Sequence, residues 1–190
     1  MKKTLPAMLV CALIACGSPR QYQFELTGEI VEGNSEEATF SLDMYQDACE
    51  SDIEVFTSAV IKMGVEPILV SEPGQASVEN DLYVYLDQVR IVYTARPNAL
   101  GNSGSAIAEV TLTDVSQRDL KVNAQNETGF LFLTLDQKAQ WRDDQGGDTG
   151  ETYLYDYEMT LTFALDADGE DTQEETFNGT VEMGHFDKCD

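Results

Sequence analysis

Residues 153–165 read YLYDYEMTLTFAL, a run in which every second residue is apolar. The apolar set is Tyr153, Tyr155, Tyr157, Met159, Leu161, Phe163 and Leu165, and most residues between them are polar. Because successive side chains of a β-strand point to opposite faces, this period of two predicts one strand with a single buried face. We therefore expect the three tyrosines to line a core rather than a binding surface.

A second strand is predicted directly after this one. Residues 167–171 have the composition of a turn, and Phe177, Gly179, Val181 and Met183 then alternate with polar residues. Two alternating runs joined by turn-forming residues indicate an antiparallel hairpin. This hairpin forms the C-terminal part of the predicted sheet.

Most of the remaining chain has the same alternating character. We predict a hairpin from residues 24–30 and 40–44, and further strands at 53–63, 68–70, 81–95, 107–115, 120–122 and 129–135. A change of parity at Asp87 and Gln88 predicts a bulge or bend. Residues 138–142 are predicted to form a helical turn that carries Trp141. We expect Trp141, Tyr83 and Tyr85 to be the exposed aromatic residues.

These elements predict an all-β fold. Many short strands without long amphipathic helices are typical of an antiparallel β-sandwich, immunoglobulin-like in architecture. The alternative is a lipocalin-like β-barrel. We expect residues 24–190 to form a single domain of this kind.

The N-terminal residues differ in character from everything that follows. Lys2 and Lys3 precede an apolar run over residues 5–15, which ends at Cys16. Such a run is the pattern of a secretory signal peptide. As a helix of that length rises only about 16 Å, it is too short to cross a hydrocarbon core of about 30 Å.

The four residues Leu13-Ile14-Ala15-Cys16 resemble the lipobox of bacterial lipoproteins. The resemblance implies that residues 1–15 are cleaved as a signal peptide and that Cys16 receives a diacylglycerol. Residues 16–23 would then be the lipidated cysteine and a short tether to the domain. It also implies a location in the bacterial cell envelope. Gly17, where an aspartate would favour retention at the inner membrane, favours the outer membrane of a Gram-negative cell.

The lipobox resemblance determines how the four cysteines of the chain are interpreted. Cys11 lies in the leader and Cys16 carries the lipid, so Cys49 and Cys189 remain in the exported part. An exported compartment is oxidising, and these two cysteines are therefore expected to form one disulfide. A metal site built from them and His185 is the alternative, but this is a poor set of ligands.

The charge of the chain restricts its partners. The sequence has 35 acidic and 11 basic residues, a formal net charge of −24. Such a charge repels nucleic acid and anionic lipid headgroups, so we expect attachment to the membrane through the lipid alone and no nucleic-acid partner. The simplest interpretation of the acidic excess is a solvated surface.

Calcium is the one cofactor that the acidic residues suggest. Residues 166–171 begin like an EF-hand loop, but Asp171 and Phe177 occupy the positions that require glycine and glutamate. A weak calcium site in one of two loops is the alternative to a plain turn. The candidate ligands are Asp166, Asp168 and Glu170 in one loop, and Asp143, Asp144 and Asp148 in the other.

No catalytic constellation is visible in the sequence. His185 is the one histidine, and no Gly-x-Ser-x-Gly elbow occurs. We therefore expect a lipid-anchored envelope protein with a non-catalytic binding or structural role towards a protein or glycan partner. The alternatives are a carrier that holds a small ligand in a barrel cavity and an envelope hydrolase that uses paired carboxylates.

Overall fold

The computed structural model describes residues 20–32, 36–45, 47–49, 53–55, 57–71, 82–113, 119–146, 150–165, 169 and 171–186. Strands predominate in these ranges. The strands are β1 (Gln21–Glu32), β2 (Ser41–Asp43), β3 (Asp47–Cys49), β4 (Ile53–Val55), β5 (Ala59–Ser71), β6 (Tyr83–Ala95), β7 (Val110–Leu112), β8 (Asp119–Lys121), β9 (Asn126–Leu133), β10 (Tyr153–Ala164) and β11 (Thr172–Gly184), and the helix is α1 (Leu135–Gln145).

The strands form two main sheets. One has three strands in the order β1-β5-β9, and the other has the order β2-β11-β10-β6-β7, with β8 also paired to β6. All these pairs are antiparallel except β2, which runs parallel to β11. A small separate ladder joins β3 to β4. The predicted all-β sandwich is confirmed, and one of its sheets curls into a half-barrel.

The core lies between these two sheets, and β10 contributes to it as predicted. Its tyrosines, Tyr153, Tyr155 and Tyr157, are buried together with Met159, Leu161 and Phe163. Phe163 stacks on Phe24 of the opposite sheet, with ring centroids 4.1 Å apart and planes at 13°. Since aromatic side chains from both sheets interdigitate here, the space between the sheets is occupied by side chains.

The two long strands on either side of β10 also follow the sequence pattern. β11 pairs with β10 from Thr172 to Met183, which confirms the C-terminal hairpin. The register between β10 and β6 shifts so that Thr162 faces Gln88 and Phe163 faces Leu86. The extra residue, Asp87, is the bulge that the change of parity predicts.

The predicted N-terminal hairpin is wrong. β1 pairs with β5 along its whole length, and β2 lies in the other sheet beside β11. The chain crosses between the sheets just before β2: the N–H of Thr39 donates to Ile30 of β1, at 2.7 Å, and the carbonyl of Phe40 accepts from Glu182 of β11, at 2.9 Å. This segment therefore connects the two sheets instead of forming a hairpin.

The bounds predicted for the strands at 53–63 and 68–70 are wrong: residues 53–55 belong to β4, and β5 runs without a break from Ala59 through Pro67 to Ser71. Pro67 faces Phe24 in the β1 ladder, and the last residue that pairs with β9 is Val65. The carbonyl of Pro67 and the N–H of Leu69 bond to Asn123 on the β9 side. Since Pro67 lies past the end of β9, its missing N–H breaks no ladder bond, and the strand tolerates it.

Helix α1 is longer than the predicted turn. It begins after Thr134, whose hydroxyl accepts from the N–H of Gln137. In return, the Gln137 side chain accepts from the N–H of Thr134. The helix ends at the cap residue Gly146, which has a φ of 80°. This capping box and left-handed C-cap satisfy the terminal backbone groups. No helix among the described residues has the length and apolar character needed to cross a membrane.

Two predictions about aromatic exposure are corrected by the structure. Trp141, expected at the surface, is only 1% exposed, because the face of α1 that carries it packs on the core. Its indole N–H donates to the hydroxyl of Tyr155 at 2.6 Å. Tyr85 is half-buried, whereas Tyr83 is exposed as predicted.

Candidate functional site

Most of the predicted site residues lie outside the described part of the chain. These are Cys16, Cys189, Asp148, Asp166, Asp168 and Glu170. Cys49 ends β3, but its side chain is likewise not described. The lipidation, the disulfide and the calcium site at residues 166–170 therefore stay predictions.

Asp143 and Asp144 do not lie in a loop, as we predicted, but in the last turn of α1. The helix continues to Gln145 because Gly146, and not an earlier residue, supplies the left-handed cap. Asp144 accepts from the side-chain amide of Gln140 at 2.9 Å, one turn back. Among the described residues, no three His, Cys, Asp or Glu side chains are grouped so that they could hold a metal ion.

His185 follows β11, where its ring lies 5.3 Å from that of Tyr45. His185 is exposed, so this ring contact lies at the surface of the domain.

A buried charged cluster was missed by the sequence analysis. The Lys138 side chain is 1% exposed and forms an ion pair with Glu32, at the end of β1. Its ammonium also donates to the carbonyl of Asp43, at 2.6 Å, and the N–H of Asp43 donates to Glu32 at 3.2 Å. These contacts connect α1 to the ends of β1 and β2. The cluster therefore ties the helix to both sheets through one ammonium group.

A groove of about 620 Å³ lies on the outer face of the three-stranded sheet. We call it the glycine groove, and its lining residues are Thr27, Gly28, Glu29, Lys62, Met63, Gly64, Gln125, Glu127, Thr128 and Gly129. The strand register places two rows of outward positions across it, Glu29–Lys62–Gly129 and Thr27–Gly64–Glu127. The groove is thus a depression over two glycines, with polar side chains around it.

Gly64 lies at the centre of the glycine groove, where a side chain would meet two polar groups. A Cβ there would lie 2.5 Å from the hydroxyl oxygen of Thr27 and 2.8 Å from the side-chain nitrogen of Gln125. Any larger residue would therefore displace these two groups. The exposed groups around it are a hydroxyl, an amide, two carboxylates and an ammonium, which together can donate and accept several hydrogen bonds.

A second groove, of about 550 Å³, lies on the outer face of the six-stranded sheet. Arg96 contacts Asp156 there through two bonds, Nε to Oδ2 at 2.7 Å and Nη2 to Oδ1 at 2.5 Å. The hydroxyl of Thr180 also donates to Asp156, at 2.9 Å. The hydrogen bonds from Arg96 lower the pKa of Asp156 most, and the hydrogen bond from Thr180 lowers it further. Asp156 is thus held as a carboxylate, which suits a recognition contact better than proton transfer.

Sequence reasoning had no means to find either groove. Their residues come from strands far apart in the chain, and short motifs do not mark them. A glycine at an outward strand position, such as Gly64 opposite Thr27, is the one local signal that the sequence carries.

Comparison with known proteins gives no functional assignment. No family model matches the chain, and no curated protein matches it. Among solved structures, the chain is similar to the X-ray structure of a Northeast Structural Genomics Consortium target, with 10% identity over 86% of each chain and a TM-score of 0.32. That TM-score is too low to indicate a shared fold.

Proposed function

We propose that the chain is a lipid-anchored binding protein of the bacterial cell envelope, and that it holds a glycan in the glycine groove without catalysing a reaction. The anchor rests on the lipobox-like residues that end at Cys16. The binding role rests on one observation, the polar groove on the outer face of the three-stranded sheet.

The chemistry of the glycine groove favours a glycan over other partners. Thr27, Gln125 and Glu127 are exposed and offer a hydroxyl, an amide and a carboxylate within one depression. A glycan presents many hydroxyl groups that both donate and accept, so it matches such a mixed set of polar groups. The volume of about 620 Å³ falls in the range of small-molecule sites and leaves room for a short oligosaccharide.

The packed interior supports surface binding over the carrier alternative. Phe132 lies edge-on between Tyr93, at 5.4 Å, and Tyr157, at 4.9 Å, between the two sheets. Together with the Phe24–Phe163 stack, these rings take up the volume in which a carrier would hold its ligand. Both grooves described above lie on outer faces instead.

The experiment has two arms. For the anchor, Cys16→Ser is expected to move the protein from the membrane to the soluble fraction, and continued membrane attachment would contradict it. For the groove, oligosaccharide fragments released from bacterial cell walls are titrated against the protein by calorimetry. The double variant Gln125→Ala/Glu127→Ala is expected to weaken binding at least about tenfold, the loss of one or two hydrogen bonds.

Glu25→Ala is the matched control for the groove. Glu25 lies on the same outward face of β1, one row beyond Thr27, and does not line the groove. Its substitution should leave the affinity unchanged. Equal affinities for the wild type and the double variant would refute the assignment of the site, and no binding at millimolar oligosaccharide would refute the ligand class.

A further inference from the structure

β11 is hydrogen-bonded on one side and largely open on the other. It pairs with β10 from Thr172 to Met183, but on its other side β2 covers only Glu182 to Gly184. The part of a 13-residue strand that precedes Glu182 is therefore an edge of the six-stranded sheet. An edge of this length presents a row of backbone donors and acceptors.

The hydrogen bonds between β2 and β11 show which backbone groups of β11 point away from β10, towards this edge. The N–H of Glu182 donates to Phe40 at 2.9 Å, and the carbonyl of Gly184 accepts from Met44 at 2.8 Å, both on the β2 side. Because backbone groups alternate sides along a strand, those of every second preceding residue point the same way. We call these four residues the open edge: Glu174, Thr176, Asn178 and Thr180. Within the described chain, no backbone hydrogen bond reaches them from that side.

The neighbouring sheet does not cover the open edge. β1 approaches β11 across the seam between the sheets, and the β11 side of the contacts there is made by side chains. A Cβ on Gly28 would lie 3.0 Å from the ring of Phe177, and the Gln173 amide donates to the Tyr22 carbonyl at 3.3 Å. These residues have the opposite parity from the open edge, where Glu174, Thr176 and Asn178 are exposed and Thr180 is half-buried.

The acidic residues around the open edge indicate what kind of segment can bind there. Glu174 and Glu175 lie on the strand, and Glu158 stands opposite Asn178 on β10, where it lines the second groove. Arg90 is near Glu158 and Glu174, but it is paired with Glu109 at 2.6 Å. Two copies of β11 would bring like charges together, which disfavours self-association through this edge. Basic side chains would instead meet Glu158 and Glu174.

We propose that the open edge binds an extended, basic segment of a protein partner, which adds a strand to the six-stranded sheet. The backbone of the segment would pair with the open edge, and its outward lysine or arginine side chains would lie beside Glu158 and the second groove. Main-chain pairing gives affinity in this mode, and side chains at alternate positions give specificity. This site is separate from the glycine groove, which lies on the other sheet.

The test uses the full-length protein and the synthetic peptide acetyl-Lys-Val-Lys-Val-Lys-Val-Lys-amide. Amide hydrogen exchange is followed by NMR with increasing peptide. The amides of the open edge are expected to exchange rapidly in the free protein and at least about tenfold more slowly when the peptide is bound. The same peptide with glutamate in place of lysine should give no protection. Protection by both peptides, or by neither at millimolar concentration, would overturn the proposal.

Thr176→Pro is the decisive variant, with Thr176→Ser as its matched control. Proline removes the N–H at an open-edge position, which takes no part in the β10 ladder, so the fold should persist as edge strands tolerate proline. The proline variant is expected to lose at least about tenfold in peptide affinity, whereas the serine variant keeps it. Wild-type affinity in Thr176→Pro would refute pairing at this edge. Should that variant fail to fold, Glu158→Gln/Glu174→Gln must weaken binding for the proposal to stand.

Discussion

Removal of the Tyr155 hydroxyl tests how the helix is held to the core. This hydroxyl accepts from the indole N–H of Trp141 at 2.6 Å and donates to the carbonyl of Ser105 at 2.7 Å. It therefore joins α1, β10 and the segment between β6 and β7 at one buried point. Tyr155→Phe keeps the ring and its packing but leaves both partners without this contact.

The expected cost follows from the burial of the two partners. Trp141 is almost completely buried, so its N–H loses its acceptor where water cannot replace it, at about 1–3 kcal/mol. Ser105 is half-buried, so its carbonyl can regain water and the loss there is about 1 kcal/mol. We expect Tyr155→Phe to lower the free energy of unfolding by about 2–4 kcal/mol.

Urea unfolding at pH 7, followed by the fluorescence of Trp141, measures this change. The chain has one tryptophan, so the signal reports the contact itself. Tyr157→Phe is the matched control: it lies on the same face of β10, and no hydrogen bond of its hydroxyl is found in the described structure. The control should change stability by less than about 0.5 kcal/mol. Equal effects of the two substitutions would refute the reasoning.

Three further predictions concern the same core. Lys138→Ala removes the ammonium that pairs with the nearly buried Glu32 carboxylate and should cost about 3–5 kcal/mol in urea unfolding, whereas Lys62→Ala at the surface should cost less than about 0.5 kcal/mol. Gly104→Ala places a Cβ against the Tyr155 hydroxyl and should destabilise by about 1–3 kcal/mol, while Gly129→Ala, whose Cβ would have ordinary contacts from 3.7 Å, should not. Burial raises the pKa of Tyr155 from 10.0 to about 12, so the neutral phenol stabilises the fold fully below pH 10 and progressively less as the pH rises towards 12. Chemical unfolding across that range should show this loss in the wild type and less of it in Tyr155→Phe; parallel curves would contradict it.

The sequence predicted the long strands well because alternation determines which face of a strand is buried. β10, β11 and the bulge at Asp87 in β6 were found in this way. It did not predict the partner of β1, since backbone hydrogen bonds are the same for every residue and carry no preference for a neighbour. The pairing of β1 with β5 depends on how the whole sandwich closes.

The candidate sites were less accessible to sequence reasoning than the strands. Lys138 looks like a surface residue by type, and only its spacing of three from the apolar Trp141 places it on the buried face of α1. The glycine groove depends on the register that brings Thr27, Gly64 and Glu127 into one row, which no local pattern encodes. The open edge is likewise a property of strand order.

The order of the strands also determines where the open edge lies relative to the proposed anchor. β1 begins at Gln21, so a lipid on Cys16 would be at most about 18 Å away along the chain. The Gln173–Tyr22 contact places the start of β11 beside the start of β1, at the same end of the sandwich. The open edge, about 20 Å from Glu174 to Thr180, then runs outward from this end. With the proposed anchor, a strand added there would lie within about 40 Å of the bilayer, so the proposed partner would bind close to the membrane surface.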